Sequence, residues 1–298
     1  MASVLSDARR GHPGLYWFAL AMAGLSVVLV GAALVDDRVL LGAPLWLKPL
    51  KFAISFTLYA GALACMLGQL RERAMWRTGW VIVVASIVEM VIIVGQAGRG
   101  VRSHYNEDTP ADAMAWNVMG MTIVVLWLAN LAIALRFLRE PGRSRAATLA
   151  VRLGLGVALL GMLTGFLMAI PQAHAVGVPD GGPGLFLVGW STTGGDLRIA
   201  HFVGMHALQL LPLLAAGLAA LRIDEAVRAR VVVTVAAGYT GLVLLLTWQA
   251  LRAQPLLAPD AVTLAALAVI VLGTAASLAA ALRPTRAGRA DERHPTPA

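Results

Sequence analysis

The run AVTLAALAVIVLGTAASLAAAL, residues 261–282, contains no charged side chain. As an α-helix with a rise of about 1.5 Å per residue, a segment of this length crosses the roughly 30 Å hydrocarbon core of a bilayer. An uncharged run longer than about 18 residues favours a membrane-spanning helix over a helix buried in a soluble domain. The stretch therefore predicts that this chain is inserted in a membrane.

Seven similar runs precede this one. They predict helices near 14–35, 46–70, 78–98, 113–137, 151–170, 198–221 and 229–251. Hydrophobic residues make up 59% of the chain and charged residues 13%, about half the charged content of a typical soluble domain. We therefore predict an all-α polytopic membrane helix bundle of eight transmembrane helices. It forms a single domain over 14–282, between a short segment 1–13 and a disordered tail 283–298.

The arginines are distributed unevenly between the predicted connections. Seventeen of them lie in the N-terminal segment, in 71–77, 136–152 and 222–230, and beyond residue 282, whereas the opposite-side segments hold seven basic residues. By the positive-inside rule, both termini are predicted to be cytoplasmic. Orientation also explains the net charge of +8 without nucleic-acid binding.

The second predicted helix carries the only two lysines of the chain, Lys48 and Lys51. Ser55 and Tyr59 continue the same helical face at i+7 and i+11 from Lys48. This stripe predicts a substrate-binding surface that faces the bundle interior. The alternative is that both lysines snorkel toward lipid headgroups.

The third predicted helix contains Glu89, the only acidic residue deep within an apolar run. Gln96 and Arg99 extend its face outward and are predicted to bind substrate. A carboxyl group at this depth must be neutral or paired, so we predict that Glu89 is a proton site sharing a cavity with a basic or histidine side chain. His206 is the preferred partner, and a purely structural Glu89 is the alternative.

The sixth predicted helix places Arg198, His201, His206 and Gln209 on one broad face. Arg198 and Gln209 are predicted to bind substrate, and the two histidines to act as acid, base or ligand groups. Being five residues apart, the histidines do not share one metal by themselves. Together with a residue from elsewhere, such as His104 or Glu89, they could ligate haem or a divalent metal.

The loop before the sixth helix is long and rich in glycine and proline, which is typical of a functional lid. We interpret His174, within it, as a loop-surface residue. Lys48, Lys51, Arg99 and Arg198 would then rim an outward-facing pocket that favours an anionic group.

These patterns predict an enzyme, or a haem or metal cofactor protein, acting on an anionic or amphipathic molecule dissolved in the membrane lipid. The alternative is a transporter for a small anionic solute. The cytoplasmic halves of the runs carry few polar residues, whereas a permease needs access from both faces. That asymmetry favours the enzyme.

Three segments, LWLKPLKF (45–52), GRGVRSHYN (98–106) and DLRIAHFVGMHALQ (196–209), resemble a family of bacterial multi-pass membrane proteins that has no assigned function. The resemblance implies a location in the bacterial inner membrane and supplies no chemistry. Eight helices with cytoplasmic termini are also similar to haem A synthases. Those enzymes carry histidines on helices of both halves, and here the fourth and eighth runs have none.

Overall fold

The computed structural model describes residues 8–70, 73–140, 144–221 and 223–283. Within these ranges eight helices are long and apolar enough to cross a membrane. They are α1 (Pro13–Val35), α2 (Leu47–Leu67), α3 (Arg73–Gly98), α4 (Pro110–Phe137), α5 (Arg145–Ala169), α6 (Leu197–Ala219), α7 (Glu225–Leu251) and α8 (Ala261–Ala281). The prediction of an all-α polytopic bundle is confirmed. The tail predicted to be disordered lies almost wholly outside the described residues.

Several helices begin earlier than hydropathy predicted. The helix expected from residue 151 begins at Arg145, and the one expected from 113 begins at Pro110. In both cases a side chain caps the first turn, because the hydroxyl of Ser144 accepts from the Ala147 N–H and that of Thr109 from the Asp112 N–H. Polar residues end an apolar run, but the helix continues to its cap.

The bundle has two halves, α1–α4 and α5–α8. The halves meet where α2 contacts α6 and where α4 contacts α5. Helix α8 packs mainly on α7 and leaves most of its surface exposed. The α2–α6 contact brings together the two helices on which the sequence predicted polar stripes.

Small residues bring α5 and α6 into backbone contact. A Cβ atom at Gly161 would lie 2.6 Å from Gly204, and one at Gly154 would lie 2.9 Å from the carbonyl oxygen of Ala207. Side chains at these positions would push the helices apart, so the glycines permit close packing of the small-xxx-small kind. The close approach also places His201 of α6 against the α5 backbone.

In the described part of the chain, four short strands lie in the loops between α1 and α2 and between α5 and α6. β1 (Val39–Leu40) pairs with β2 (Ala43–Pro44), and β3 (Ala175–Val176) pairs with β4 (Gly195–Asp196), both antiparallel. The β3–β4 pair closes the base of the loop between α5 and α6. Residues 184–191 form a smaller turn within that loop, closed by a bridge between Gly184 and Ser191, which we call the lid hairpin.

Candidate functional site

The start of α2, the start of α6 and two loops converge on one group of charged and aromatic side chains, at the ends of the helices that the sequence predicted to face outward. Lys48 interacts electrostatically with Lys51, Arg198 and Asp180, and His104 interacts with Lys48, His174 and His201. We call this group the outer cluster; its members are Lys48, Lys51, His104, His174, Asp180, Asp196, Arg198 and His201. It unites the predicted stripes of α2 and α6.

Arg198 is neutralised within the cluster by Asp196. Its Nη2 lies 2.6 Å from Asp196 Oδ2 and its Nε lies 2.9 Å from Oδ1, which is a two-point contact. The same carboxylate accepts from the Arg198 backbone N–H at 3.0 Å and so caps α6. Asp196 is 1% exposed, and its charge is fully used by these contacts.

The lid hairpin covers the cluster through two backbone carbonyl groups. Lys51 Nζ donates to the carbonyl oxygen of Val188 at 2.9 Å, and Arg198 Nη2 donates to that of Gly189 at 2.5 Å. Lys51 and Arg198, both predicted at the rim of a pocket, therefore already donate to protein acceptors. The two carbonyl oxygens accept from the same N–H groups that Lys51 and Arg198 would use to bind an anion.

Lys48 is the cation without a direct partner. Among the described residues, no acceptor lies within hydrogen-bond distance of its ammonium group and no carboxylate forms an ion pair with it. Two like charges, Lys51 and Arg198, are among its nearest electrostatic neighbours, together with Asp180. Lys48 is half-buried and surrounded by protein charges, so snorkelling does not describe it.

His201 holds one ring nitrogen against the α5 backbone. Its Nδ1 lies 2.8 Å from the carbonyl oxygen of Gly161, which can only accept, so Nδ1 carries the hydrogen. In the neutral ring Nε2 is then a proton acceptor. Gly165 leaves space for this ring, because a Cβ atom there would lie 3.1 Å from His201 Cε1.

His104 lies in the loop between α3 and α4. Its ring packs against Phe52 and Trp116, with ring centroids 5.7 Å away in both cases. Burial, and to a lesser extent the positive charge of Lys48, hold the pKa of His104 well below its ordinary value. The imidazole is therefore a neutral base at physiological pH. Burial also raises the pKa of neighbouring Tyr105 to about 12.

The interpretation of His174 as a surface residue is corrected. Its side chain is 20% exposed, and Nδ1 lies 3.3 Å from Asp180 Oδ1. Burial and the charge of Arg198 lower the pKa of His174 to about 4, outweighing the opposite effect of Asp180 and Asp196. The turn signal Pro179-Asp180-Gly181 could have predicted that the chain folds back onto this residue.

His206 faces away from His201. Its ring meets Phe202 edge-on, with a centroid separation of 4.3 Å. His201 and His206 are five residues apart and so point about 140° away from each other around α6. Among the described residues, no group of three or more His, Cys, Asp or Glu side chains could hold a metal ion. His206 therefore does not join His201 and His104 in one group, and ligation of a metal or haem by His201 or His206 stays a prediction.

Glu89 contacts α4. Its Oε1 lies at hydrogen-bond distance from the Thr122 hydroxyl, and its Oε2 is buried without a partner. The cation with which Glu89 interacts electrostatically is Lys48 of α2. Within the described ranges no contact joins Glu89 to the preferred partner His206, because His206 turns toward Phe202.

Gln96 and Arg99 belong to a second polar group, which we call the Asp112 triad. Asp112 Oδ1 accepts from Gln96 Nε2 at 2.8 Å and from Arg99 Nη1 at 2.7 Å, and Arg99 also donates to Gln96 Oε1. Both side chains therefore already have a partner on α4, and their role in substrate binding stays a prediction. Sequence reasoning missed Asp112, whose place in the first turn of α4 resembles an ordinary helix-start carboxylate.

The remaining stripe residues lie deeper. The hydroxyl of Tyr59 accepts from Asn130 Nδ2 at 2.6 Å, and Ser55 is half-buried on the same face of α2. Three further side-chain oxygens are buried without hydrogen-bond partners in the described part of the chain: Ser86 Oγ, Asn130 Oδ1 and Gln209 Oε1. The interior below the outer cluster thus contains polar atoms that are not fully satisfied.

Comparison with protein-family models, with curated proteins and with solved structures gives no match to the chain in any of the three. The functional argument therefore depends on the geometry and charges of the outer cluster.

Proposed function

We propose that this multi-pass membrane protein binds the anionic head of an amphipathic, membrane-soluble molecule in the outer cluster and acts on it as an enzyme. The observation that carries the proposal is Lys48, a half-buried cation with like charges beside it and no direct partner. A charge withdrawn from water is costly unless it is paired. An anionic ligand group would supply the missing partner.

Lys51 and Arg198 would complete the anion site. Both already donate to carbonyl oxygens of the lid hairpin, and anion oxygens would replace those acceptors with stronger, charge-assisted ones. Binding would therefore be accompanied by displacement of Val188 and Gly189. Lysine offers a point charge and arginine a planar fork, so the set suits a phosphate, sulfonate or carboxylate group.

The histidines would supply the chemistry. His201 Nε2 and the neutral ring of His104 are proton acceptors in the same cluster. Positioned next to a bound head group, either ring could take a proton from a reacting hydroxyl or water as a general base. The reaction class that these groups support is acid–base catalysis at or next to the anionic head.

An amphipathic ligand is favoured by the surface of the lid hairpin. Phe186 at its tip is 89% exposed and Leu187 is 59% exposed. Apolar side chains at the outer end of membrane-spanning helices are suited to the interface between head groups and acyl chains. A ligand with an apolar tail could then approach the cluster along the lipid.

Transport of a small anionic solute is the second candidate. It is favoured by the polar atoms below the outer cluster, where Ser86 Oγ and Asn130 Oδ1 are buried without partners and Tyr59 bonds Asn130. A transporter needs polar groups along a path from both faces. Uptake of labelled anion into liposomes, without chemical change of the anion, would favour this candidate.

The test of the anion site is a binding titration of the purified protein in nanodiscs. A single-chain alkyl sulfonate is expected to bind, and an alkyltrimethylammonium of equal chain length is not. Lys48→Met should weaken sulfonate binding by about tenfold to a hundredfold. The matched control is Arg102→Met, since Arg102 is a cation outside the outer cluster, paired with Asp108. Equal binding of both amphiphiles, or no effect of Lys48→Met, would overturn the proposal.

We also propose that the protein lies in a bacterial inner membrane, as the resemblance of its three segments implies, and that both termini are cytoplasmic, because of the arginine distribution. Reporter fusions at Arg143 and Asp180 should then report opposite sides of the membrane. Equal sidedness would overturn the orientation.

A further inference from the structure

The hydroxyl of Thr122 stands between two acceptor atoms. Its Oγ1 lies 2.8 Å from the carbonyl oxygen of Met119 and at hydrogen-bond distance from Oε1 of Glu89. A hydroxyl group has one hydrogen to donate and can accept through its lone pairs. If that hydrogen goes to Met119, the contact with Glu89 is favourable only when the carboxyl group supplies a hydrogen of its own.

The second oxygen of Glu89 leads to the same conclusion. Glu89 is 1% exposed, and its Oε2 has no hydrogen-bond partner. An ionised carboxylate with one bare oxygen in the membrane interior would be very costly, whereas the carbonyl oxygen of a neutral acid is far cheaper to bury. Both observations fit a proton on Oε1, donated to Thr122, which in turn donates to Met119.

The charge environment of Glu89 is simple. The helices packed against α3 are α1, α2 and α4. The titratable or charged groups on these helices fall into three sets. On α1 they are Tyr16 and the capping His12, which bonds Trp76 at the start of α3. On α2 they are Lys48, Lys51, Tyr59 and Cys65, and on α4 they are Asp112 and Arg136. Of these, Lys48 is the group whose charge acts on Glu89. Asp112 is held by Gln96 and Arg99.

We propose that Glu89 is a proton-binding site coupled to the anion site, so that an anion and a proton bind together. When Glu89 is ionised, its charge compensates Lys48 and repels an incoming anion. When Glu89 is neutral, Lys48 is left uncompensated and attracts the anion. Each ligand therefore strengthens the binding of the other, as reciprocal linkage requires. This inference rests on the anion site proposed above and adds its regulation by pH.

The experiment measures alkyl sulfonate affinity between pH 6 and pH 9, because the sulfonate charge is constant over that range. In the unmodified protein the affinity should fall by up to about tenfold per pH unit above the midpoint of the profile, with uptake of about one proton per ligand in weakly buffered solution. Glu89→Gln, which mimics the neutral acid, should bind tightly at every pH. Thr247→Val, which removes a hydroxyl on α7 that donates to the Val243 carbonyl oxygen, is the control and should keep the pH dependence.

Thr122→Val tests the position of the proton and remains informative if Glu89→Gln fails to fold. In the proposed arrangement the hydroxyl accepts from the neutral acid, so its loss should shift the midpoint to lower pH. A shift to higher pH would mean that Thr122 donates to a carboxylate, and would overturn the assignment. If the unmodified protein binds the sulfonate equally well at every pH, the coupling is overturned.

Infrared spectroscopy of the ligand-free protein separates this inference from the function on which it rests. A protonated-carboxyl band that disappears in Glu89→Gln supports the proton site without any ligand, and its absence at pH 6 overturns it. If the band is present and no variant binds sulfonate, the anion site and the coupling both fail. If sulfonate binds and the band is absent, the proton site alone fails.

Discussion

Arg99 and Lys48 both stand at the outer end of a membrane-spanning helix, but their charges are balanced differently. Arg99 ends the face of α3 and pairs with Asp112 at 2.7 Å, while Gln96 satisfies the same carboxylate. Lys48 begins α2 among two other cations, and no direct partner is described for it. The Asp112 triad is closed and self-sufficient, whereas the outer cluster has one positive charge to spare.

The difference shows which polar group serves the fold and which is available for a ligand. A buried carboxylate with an arginine and an amide around it ties α3 to α4 and needs nothing further. A cation held among like charges lowers stability unless a ligand relieves it, and such strain is typical of binding sites. Position along a helix did not distinguish the two; charge balance does.

The largest expected effect is on the Asp112 triad. Asp112→Ala removes a 2% exposed carboxylate and leaves Gln96 and Arg99 without their acceptor. Since Gln96 is 4% exposed and a buried polar group that loses its partner is costly, the melting temperature should fall by roughly 5 °C or more. Asp108→Ala is the control, because Asp108 is 67% exposed beside Arg102 and should change little. Equal effects in thermal unfolding would mean that the triad does not support the fold.

The lid hairpin offers a second comparison, between the two lysines. Lys51→Met removes the bond to the Val188 carbonyl oxygen, so the hairpin should open more often. Chymotrypsin cleavage after Phe186 is expected to become about threefold faster. Lys48 makes no such bond, so Lys48→Met serves as the control. Identical cleavage rates in the two variants would show that Lys51 does not hold the hairpin.

A smaller effect should distinguish Lys48 from Arg99 directly. Lys48→Met removes an uncompensated charge and is expected to leave the melting temperature unchanged or raise it by about 2 °C. Arg99→Met should lower it, because Asp112 loses its cation. Thermal unfolding without ligand measures both. Destabilisation by Lys48→Met comparable to that of Arg99→Met would mean that Lys48 is satisfied in the folded protein.

The smallest expected effect is the pH dependence contributed by His174. Its pKa in the folded protein is about 4, below the ordinary value of about 6.5 in the unfolded chain. The unfolded state therefore binds the proton more readily, so this contribution to stability is present above pH 6.5 and is lost as the pH falls toward 4. Between pH 7 and pH 4 the melting temperature of His174→Asn should fall by about 2 °C less than that of the unmodified protein. Parallel curves would contradict the burial of this ring.

The sequence by itself determined the architecture, because a run such as 261–282 has one stable way to satisfy its backbone in a bilayer, and eight such runs require eight helices. It also identified the residues that share a helix face, such as Lys48 and Lys51, since helical periodicity follows from spacing alone.

Only the tertiary structure decided which of these residues meet. Arg99 was expected beside Lys48, but Asp112, thirteen residues further on, neutralises it first. His174 was expected at the surface, but the turn at Asp180 folds it beside the start of α6. Pairing between helices and loops depends on helix rotation and loop path, which local spacing does not contain. That is why the sequence could predict the polar stripes. The contact of Glu89 with Thr122, and those of Lys51 and Arg198 with Val188 and Gly189, could be found only in the folded chain.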